Sequence, residues 1–229
     1  MNQEQLTKMI LDLGVSKVGY CNLENLVPEN YKHLNSGISF AIQLSEQIVE
    51  DIDPSEGPTH TYFHHYRTVN AYIDQISLKI MMKLQQLGYL AVAVPASQSI
   101  NKDGWKYKGL FPHRTAATRA GIGWIGKNNC LVTKEFGPRV RLGTILTNMN
   151  FEYNEPIEQD SCCNCNLCVK SCPAIALKGT SWTPSIPREE ILDPKACSAY
   201  MSNHYKHIGR GSVCGICIKV CPKGLRVGK

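Results

Sequence analysis

The chain has 229 residues, 43% of them apolar, and a formal net charge of +6; that is enough apolar side chain for one large core or two modest ones, and it excludes a disordered polypeptide. No apolar run is long enough to span a bilayer, and the opening MNQEQLTKMILDLG carries polar and acidic residues where a secretion signal has a basic start and an apolar stretch, so a cytoplasmic location is expected. Eleven cysteines without such a signal exclude a disulfide scaffold and point to metal ligation or redox chemistry, because cytosolic thiols are kept reduced.

EQLTKMILDLG spaces Leu6, Met9, Ile10 and Leu13 along one helix face and ends at Gly14 as a C-cap. SKVGYCNL reads as a short strand and GISFAIQLS (37–45) as a second, followed by the acidic turn-rich loop EDIDPSEGP. In THTYFHHY, His60 and His64 stand four apart; without a third ligand they read as a surface or substrate-pocket pair rather than a metal site. From Thr68 to Leu87, Val69, Tyr72, Ile73, Ile76, Ile80, Met81, Leu84 and Leu87 recur at helical spacing, with Gly88 as the stop. YLAVAVPAS follows as a buried strand, and RVRLGTILTNMNF (139–151) as another. This alternation predicts an α/β domain, of α+β sandwich type, over residues 1–155. The acidic, proline-containing EYNEPIEQD marks its end, and a cysteine-rich second domain of ferredoxin-like type is expected over 156–229.

Charge is unevenly spread. Residues 1–101 carry 6 basic and 10 acidic side chains, whereas 102–141 carry 9 basic and 2 acidic. A basic middle segment fits either a solvated face or an anionic ligand such as a phosphate group. Within it, RAGIGWIGKNN sets Gly121, Gly123 and Gly126 in G-x-G-x-x-G order. A dinucleotide loop of this type must follow a buried strand and precede a ribose-binding acid about 20 residues on. Here HRTAATRA, polar and basic, precedes the glycines, and no Asp or Glu lies between Val140 and Phe151, so that function is set aside.

The cysteines carry the strongest signal. CCNCNLCVKSCPA supplies Cys162-x2-Cys165-x2-Cys168-x3-Cys172-Pro173, the bacterial ferredoxin pattern in which three close thiolates wrap one 4Fe-4S cluster while the fourth reaches a second cluster. VCGICIKVCPKG is an incomplete copy, Cys214-x2-Cys217-x3-Cys221-Pro222, with Gly211 in the place of its first cysteine. Cys197 fills that vacancy if a loop brings it back. By the crossed rule, Cys162, Cys165, Cys168 and Cys221 hold one cluster, and Cys172, Cys197, Cys214 and Cys217 the other. Zinc spacings do not call for two C-x3-C-P closures, which disfavours two zinc sites. Cys163, Cys21 and Cys130 are read as non-ligands, the buried ones behaving as small hydrophobes. Two clusters form an electron relay, so the chain is either a carrier or a carrier joined to a domain where the chemistry happens.

RAGIGWIGKNNCLV, RLGTILTN, CCNCNLCVKSCPA, CSAYMSNH and VCGICIKVCPKG, taken in order, resemble epoxyqueuosine reductase, the cobalamin-dependent iron-sulfur enzyme of tRNA queuosine synthesis, with the reductive dehalogenases as more distant relatives. The resemblance implies a cobalamin cavity built in part by the glycine loop, through Gly121, Gly123, Trp124, Gly126, Lys127 and Asn128, with Arg141 and Arg139 on one strand face facing the cavity or water. It implies electrons entering from a ferredoxin- or flavodoxin-type donor and passing through the clusters to cobalt. The substrate side would be a small molecule, a corrinoid protein or tRNA; neither a membrane nor DNA is expected as a partner.

Two departures qualify it. Members that act on tRNA carry an acid in D-S-x-P before the glycine loop as proton donor; here the aligned position is Tyr107 in WKYKGLFPHR, and no Asp lies between Asp103 and Gly121. The sequence ends soon after Cys221, as a short form without the further C-terminal region that longer members use toward tRNA. The dehalogenases use a tyrosine beside a cation, and Lys106, Lys108 and Arg114 are near Tyr107 in sequence; His113 and His64 are rival donors. Three functions stand: a cobalamin-dependent oxidoreductase of unassigned substrate, the tRNA epoxyqueuosine reductase itself, and an electron carrier or corrinoid-reducing activator without its own cobalamin.

Overall fold

A computed structural model describes residues 1–100, 104, 107–209 and 211–224. The chain divides into two compact units, one of Met1–Gln43, Val69–Ile122 and Arg141–Ile157, the other of Leu44–Thr68, Gly123–Val140 and Glu158–Lys229. The last crossing, at 157/158, lies two residues from the boundary expected at 155/156. The other four crossings, at 43/44, 68/69, 122/123 and 140/141, fall inside helix, strand and loop sequence that no change of composition marks.

The first unit is built on a four-stranded sheet of order β1-β2-β6-β3. Strand β1 (Lys17–Asn22) pairs antiparallel with β2 (Ser36–Gln43), Lys17 opposite Ala41, and β3 (Ala91–Val94) pairs antiparallel with β6 (Val140–Thr147), Ala91 opposite Thr147. Both outer pairings are antiparallel, within a mixed α and β fold. The inner strand β2 buries nearly every residue, with Ile38 and Phe40 fully enclosed. Helix α1 (Gln3–Asp12) begins with a capping box: the Asn2 side chain accepts the Gln5 main-chain N–H at 2.9 Å, and Gln5 Oε1 accepts the Asn2 N–H at 3.0 Å. It buries Leu6 and Ile10, and Gly14 follows at φ +79° as expected.

Helix α3 (His60–Gln86) starts eight residues before the expected Thr68. Its entry signal is Thr59, whose Oγ1 accepts the Tyr62 N–H at 3.0 Å, an N-cap hidden in a segment read for its histidines. Ile73, Ile76, Ile80 and Leu84 are its fully buried positions in the first unit. Helix α4 (His113–Arg119) packs on β1 and β2, and at Gly19 a Cβ would stand 2.4 Å from the Ala120 carbonyl oxygen, so only glycine admits that approach. No helix among the described residues is long and apolar enough to cross a membrane.

The second unit contains α2 (Glu46–Glu50), the first turns of α3, a two-stranded hairpin of β4 (Trp124–Ile125) and β5 (Leu131–Val132), and the helices α5 (Leu167–Lys170), α6 (Pro194–His204) and α7 (Ile216–Lys219). Helix α5 packs on α7, and α2 on α7. The two four-residue helices are the two copies of the cysteine repeat, one bearing Cys168 and the other Cys217.

Candidate functional site

The site is built from the two cysteine segments and the hairpin of the second unit. The Asp160 carboxylate anchors the first segment: Oδ1 accepts the Cys162 N–H at 2.8 Å, and Oδ2 accepts the Trp182 N–H at 3.0 Å. Cys163 takes a left-handed φ of +51° and is exposed, so the chain turns sharply between Cys162 and Cys165. The second segment enters α7 through Gly215 at φ +86°, where a Cβ would lie 2.6 Å from the Tyr62 ring. Cys197 arrives on α6, whose N-cap Asp193 accepts the Lys195 and Ala196 N–H groups.

Electrostatic neighbours show how the thiols group. Burial, then the nearby Cys221, Cys162 and Cys165, push Cys168 up to about 12; burial, then Cys162, raises Cys221. Burial, then Cys214 and Cys172, push Cys197 up to about 12, and burial with Cys172 pushes Cys214 up to about 11. Cys217 is raised by a hydrogen bond with Cys130, then by burial, Cys130, Cys214 and Cys197. Among the eight, Cys162, Cys165, Cys168 and Cys221 are thus brought together, as are Cys172, Cys197, Cys214 and Cys217. Among the described residues no three Cys, His, Asp or Glu side chains converge on a site for a single ion. Sets of four neighbouring thiols suit polynuclear clusters rather than single ions.

Two further features fit a cluster. Trp124 Nε1 is buried with no hydrogen-bond partner, and it stands beside Cys162 Sγ together with the Lys127 main-chain N–H. A thiolate bound to iron is the acceptor that the Trp124 N–H lacks. At Gly126 a Cβ would meet Cys162 Sγ at 3.4 Å, so the glycine keeps the hairpin close to that sulfur.

Arg139 was expected to share a strand face with Arg141, toward a cavity or water. Instead it is 1% exposed, and its guanidinium donates to the carbonyl oxygens of Lys219, Cys221 and Lys223, each at 3.2 Å. Glu50 lies 3.6 Å away and also pairs with Lys219, which holds the Glu50 carboxyl below its usual range. Arg139 therefore fixes the carbonyls around Cys221 and puts a buried positive charge beside that sulfur. The sequence signal was weak: one arginine in a strand-like run.

The glycine-loop residues are engaged with their own chain. At Gly123 a Cβ would fall 2.3 Å from the Val132 carbonyl oxygen across the hairpin, and at Gly121, with φ +65°, a Cβ would fall 2.8 Å from the Glu155 carbonyl oxygen. Lys127 Nζ donates to the Cys163 carbonyl at 2.8 Å and to Asn166 Oδ1 at 3.3 Å, and Asn128 Nδ2 donates to the Cys217 carbonyl at 3.3 Å. Lys127, Asn128 and Trp124 are buried. These side chains brace the cysteine segments.

The other expected residues lie in the first unit. Arg141 Nε donates to Asn70 Oδ1 at 2.9 Å. Tyr107 sits at φ +52° in a loop where the Ile100 N–H donates to the Lys108 carbonyl at 2.8 Å; Lys106 lies outside the described residues. His113, expected as a rival proton donor, has both ring nitrogens bonded: Nε2 donates to the Pro95 carbonyl at 3.0 Å, and Nδ1 accepts the Thr144 hydroxyl at 2.8 Å. Burial pushes it down to about 4, so it is neutral near pH 7 with both ring nitrogens engaged. In the second unit His60 and His64 are exposed, with Thr68 Oγ1 at 3.5 Å from His64, while His65 Nε2 accepts the Ser45 N–H at 3.1 Å.

Comparison with known proteins agrees with this geometry. Residues 161–226 match the family model of a 4Fe-4S dicluster domain. The chain is 38% identical over 115 residues to epoxyqueuosine reductase of Listeria monocytogenes, covering 46% of this chain and 28% of the relative. The enzyme of Bacillus anthracis is 36% identical over 124 residues (50% and 30%), and that of Gloeobacter violaceus 34% over 129 residues (52% and 37%). The matched region thus spans about a third of those relatives' own length. Among solved structures, the catabolic reductive dehalogenase NpRdhA superposes with a TM-score of 0.74 at 20% identity, covering 97% of this chain and 32% of that one. Epoxyqueuosine reductase from Streptococcus thermophilus superposes at 0.61 and 18% identity, covering 98% and 66%. The chain carries a 4Fe-4S dicluster domain, shares the fold of the reductive dehalogenases and epoxyqueuosine reductases, and is related to the latter over about half of its sequence.

Proposed function

We propose that this chain is an iron-sulfur reductase that holds two 4Fe-4S clusters and relays single electrons from a ferredoxin- or flavodoxin-type donor to a terminal acceptor. The grouping of eight thiols into two sets of four carries the reading. Cys162, Cys165, Cys168 and Cys221 hold one cluster; Cys172, Cys197, Cys214 and Cys217 hold the other. Each cluster, when bound, supplies a one-electron carrier. The chain's own part is to stabilise the extra negative charge of the reduced state. Trp124 Nε1 and the Lys127 N–H are aimed at the Cys162 sulfur, and the Arg139 guanidinium lies beside Cys221. Donors and positive charge at cluster sulfurs raise the reduction potential and so hold the electron until it is passed on.

The resemblance names the acceptor as the cobalt of a cobalamin, and a reductive dehalogenase of this fold is described as B12-dependent. The engagement of Lys127 and Asn128 with the cysteine segments favours a second reading, an electron carrier or corrinoid-reducing activator whose corrinoid belongs to a partner. The names of the relatives support reduction of epoxyqueuosine in tRNA.

Anaerobic reconstitution with iron and sulfide tests the core of the proposal: about eight iron per chain are expected, and a chain that assembles none overturns it. Titration of the loaded protein with cob(II)alamin, followed by EPR, then separates the acceptors. One-site saturation with a changed cobalt axial signal assigns the cobalamin to this chain, whereas an unchanged signal assigns it to a partner. Restored queuosine in a deficient strain would assign the tRNA substrate, and loss of that activity in Tyr107→Phe would make Tyr107 the proton donor.

A further inference from the structure

A ninth thiol stands among the eight of the two sets. Cys130 was set aside in sequence as a small buried hydrophobe, yet it is an electrostatic neighbour of Cys168 and Cys221 in one set and of Cys197 and Cys217 in the other. Its position is fixed by main-chain geometry. The hairpin tip closes through Gly126 N–H to the Cys130 carbonyl at 2.9 Å and Asn129 N–H to the Gly126 carbonyl at 2.7 Å, with Asn129 at φ +57°. The buried Asn128 side chain then ties that tip to the second cysteine segment: Oδ1 accepts the Cys130 N–H at 3.1 Å while Nδ2 donates to the Cys217 carbonyl at 3.3 Å. One amide thus sets the backbones of Cys130 and Cys217 in register, and their thiols are hydrogen-bonded.

We infer that Cys130 is a positioning residue at the junction of the two clusters, whose thiol donates a hydrogen bond to the Cys217 sulfur and thereby raises the reduction potential of the cluster that Cys217 holds. This rests on the two-cluster reading above. A Cys217 bound to iron has lost its proton, so the one proton between the two sulfurs is that of Cys130, and Cys130 is the donor. When that cluster accepts one electron its sulfurs become more negative, and a donor aimed at them stabilises the reduced state more than the oxidised one. A packing role alone would need only the volume of the side chain, whereas a tuning role needs the proton.

Those alternatives separate in an EPR-monitored redox titration of the anaerobically reconstituted protein. An S–H donor is weak, so the difference is set at the low end of a net hydrogen bond, about 0.5 kcal/mol. Cys130→Ala is expected to keep both clusters and to lower the ratio of reduced to oxidised Cys217-bearing cluster about twofold at fixed potential. Cys130→Ser, which keeps a proton to donate, is expected to restore the ratio. Should alanine cost a cluster by leaving a hole, Cys130→Val fills the volume without a donor and is compared with serine instead. Equal potentials for cysteine, serine and the proton-free variants, with both clusters intact by iron count, overturn the inference. A wild-type chain that binds no iron at Cys214 and Cys217 overturns the two-cluster reading itself, so the two failures are distinguishable.

Discussion

Replacing Arg139 by methionine tests how the second unit holds Cys221. Methionine keeps much of the buried volume but removes three charge-assisted hydrogen bonds, to the carbonyls of Lys219, Cys221 and Lys223. Left without that donor, each part-buried carbonyl costs about 1 kcal/mol, which gives about 3 kcal/mol for the three. The ion pair with Glu50 adds little, because that carboxylate is 44% exposed and keeps Lys219 as a partner. Some of the loss is offset, since Arg139 Nε is itself buried without a partner and the guanidinium need no longer be desolvated. A net loss of about 2–3 kcal/mol corresponds to a 30- to 150-fold shift in a folding equilibrium, and with a urea m-value of about 2–3 kcal/mol/M it lowers the midpoint by about 1 M. The assay is urea unfolding of the reconstituted protein under anaerobic conditions, followed through cluster absorbance, with iron counted in parallel. Arg139→Lys supplies the charge from a point donor that cannot fork to three carbonyls, and is expected to recover about a third of the loss. A methionine variant with an unchanged midpoint and full iron content would refute the role assigned to Arg139.

Cys197→Ala is expected to lose about half of the iron, from about eight to about four per chain, with the set containing Cys162 still loaded; a full count would remove Cys197 from the ligands. His113 gives a pH dependence of fixed sign. Its folded value near 4 lies below the unfolded value of about 6.5, so the unfolded chain takes up the proton first. Stability is complete above about pH 6.5 and falls as pH drops toward 4, by about 2 kcal/mol at pH 5. Urea midpoints of the cluster-free protein at pH 7.5 and 5, wild type against His113→Gln, measure this, and equal slopes for the two would disprove it. Gly123→Ala sets a Cβ against the Val132 carbonyl oxygen, a main-chain atom that cannot give without opening the hairpin. A loss of at least about 1–3 kcal/mol is expected in a thermal melt, and an unaltered melting temperature would show that the hairpin tolerates the shift.

The elements that repeat a local rule were legible in the sequence. Four isoleucine and leucine positions at helical spacing set the buried face of α3, apolar positions at the same spacing with Gly14 as stop marked α1, and short apolar runs marked β1, β2, β3 and β6. The two C-x3-C-P segments announced a cluster domain because a cluster fixes the spacing of its ligands along the chain. Four other decisions came only with tertiary structure. The start of α3 lay in one threonine hydroxyl. Arg139 meets its partners 80 to 84 residues away, and nothing in its own neighbourhood distinguishes it from an arginine facing water. The glycines of the loop were legible as a requirement for close approach, but that the approaching atoms belong to Val132, Glu155 and Cys162 of the same chain came only with the folded chain. Cys130, apolar by its sequence neighbours, is placed among cluster thiols by the side chain of Asn128. Spacing along the chain constrains what one segment can ligate or bury; which buried charge or thiol faces that segment is set by contacts between residues far apart in sequence.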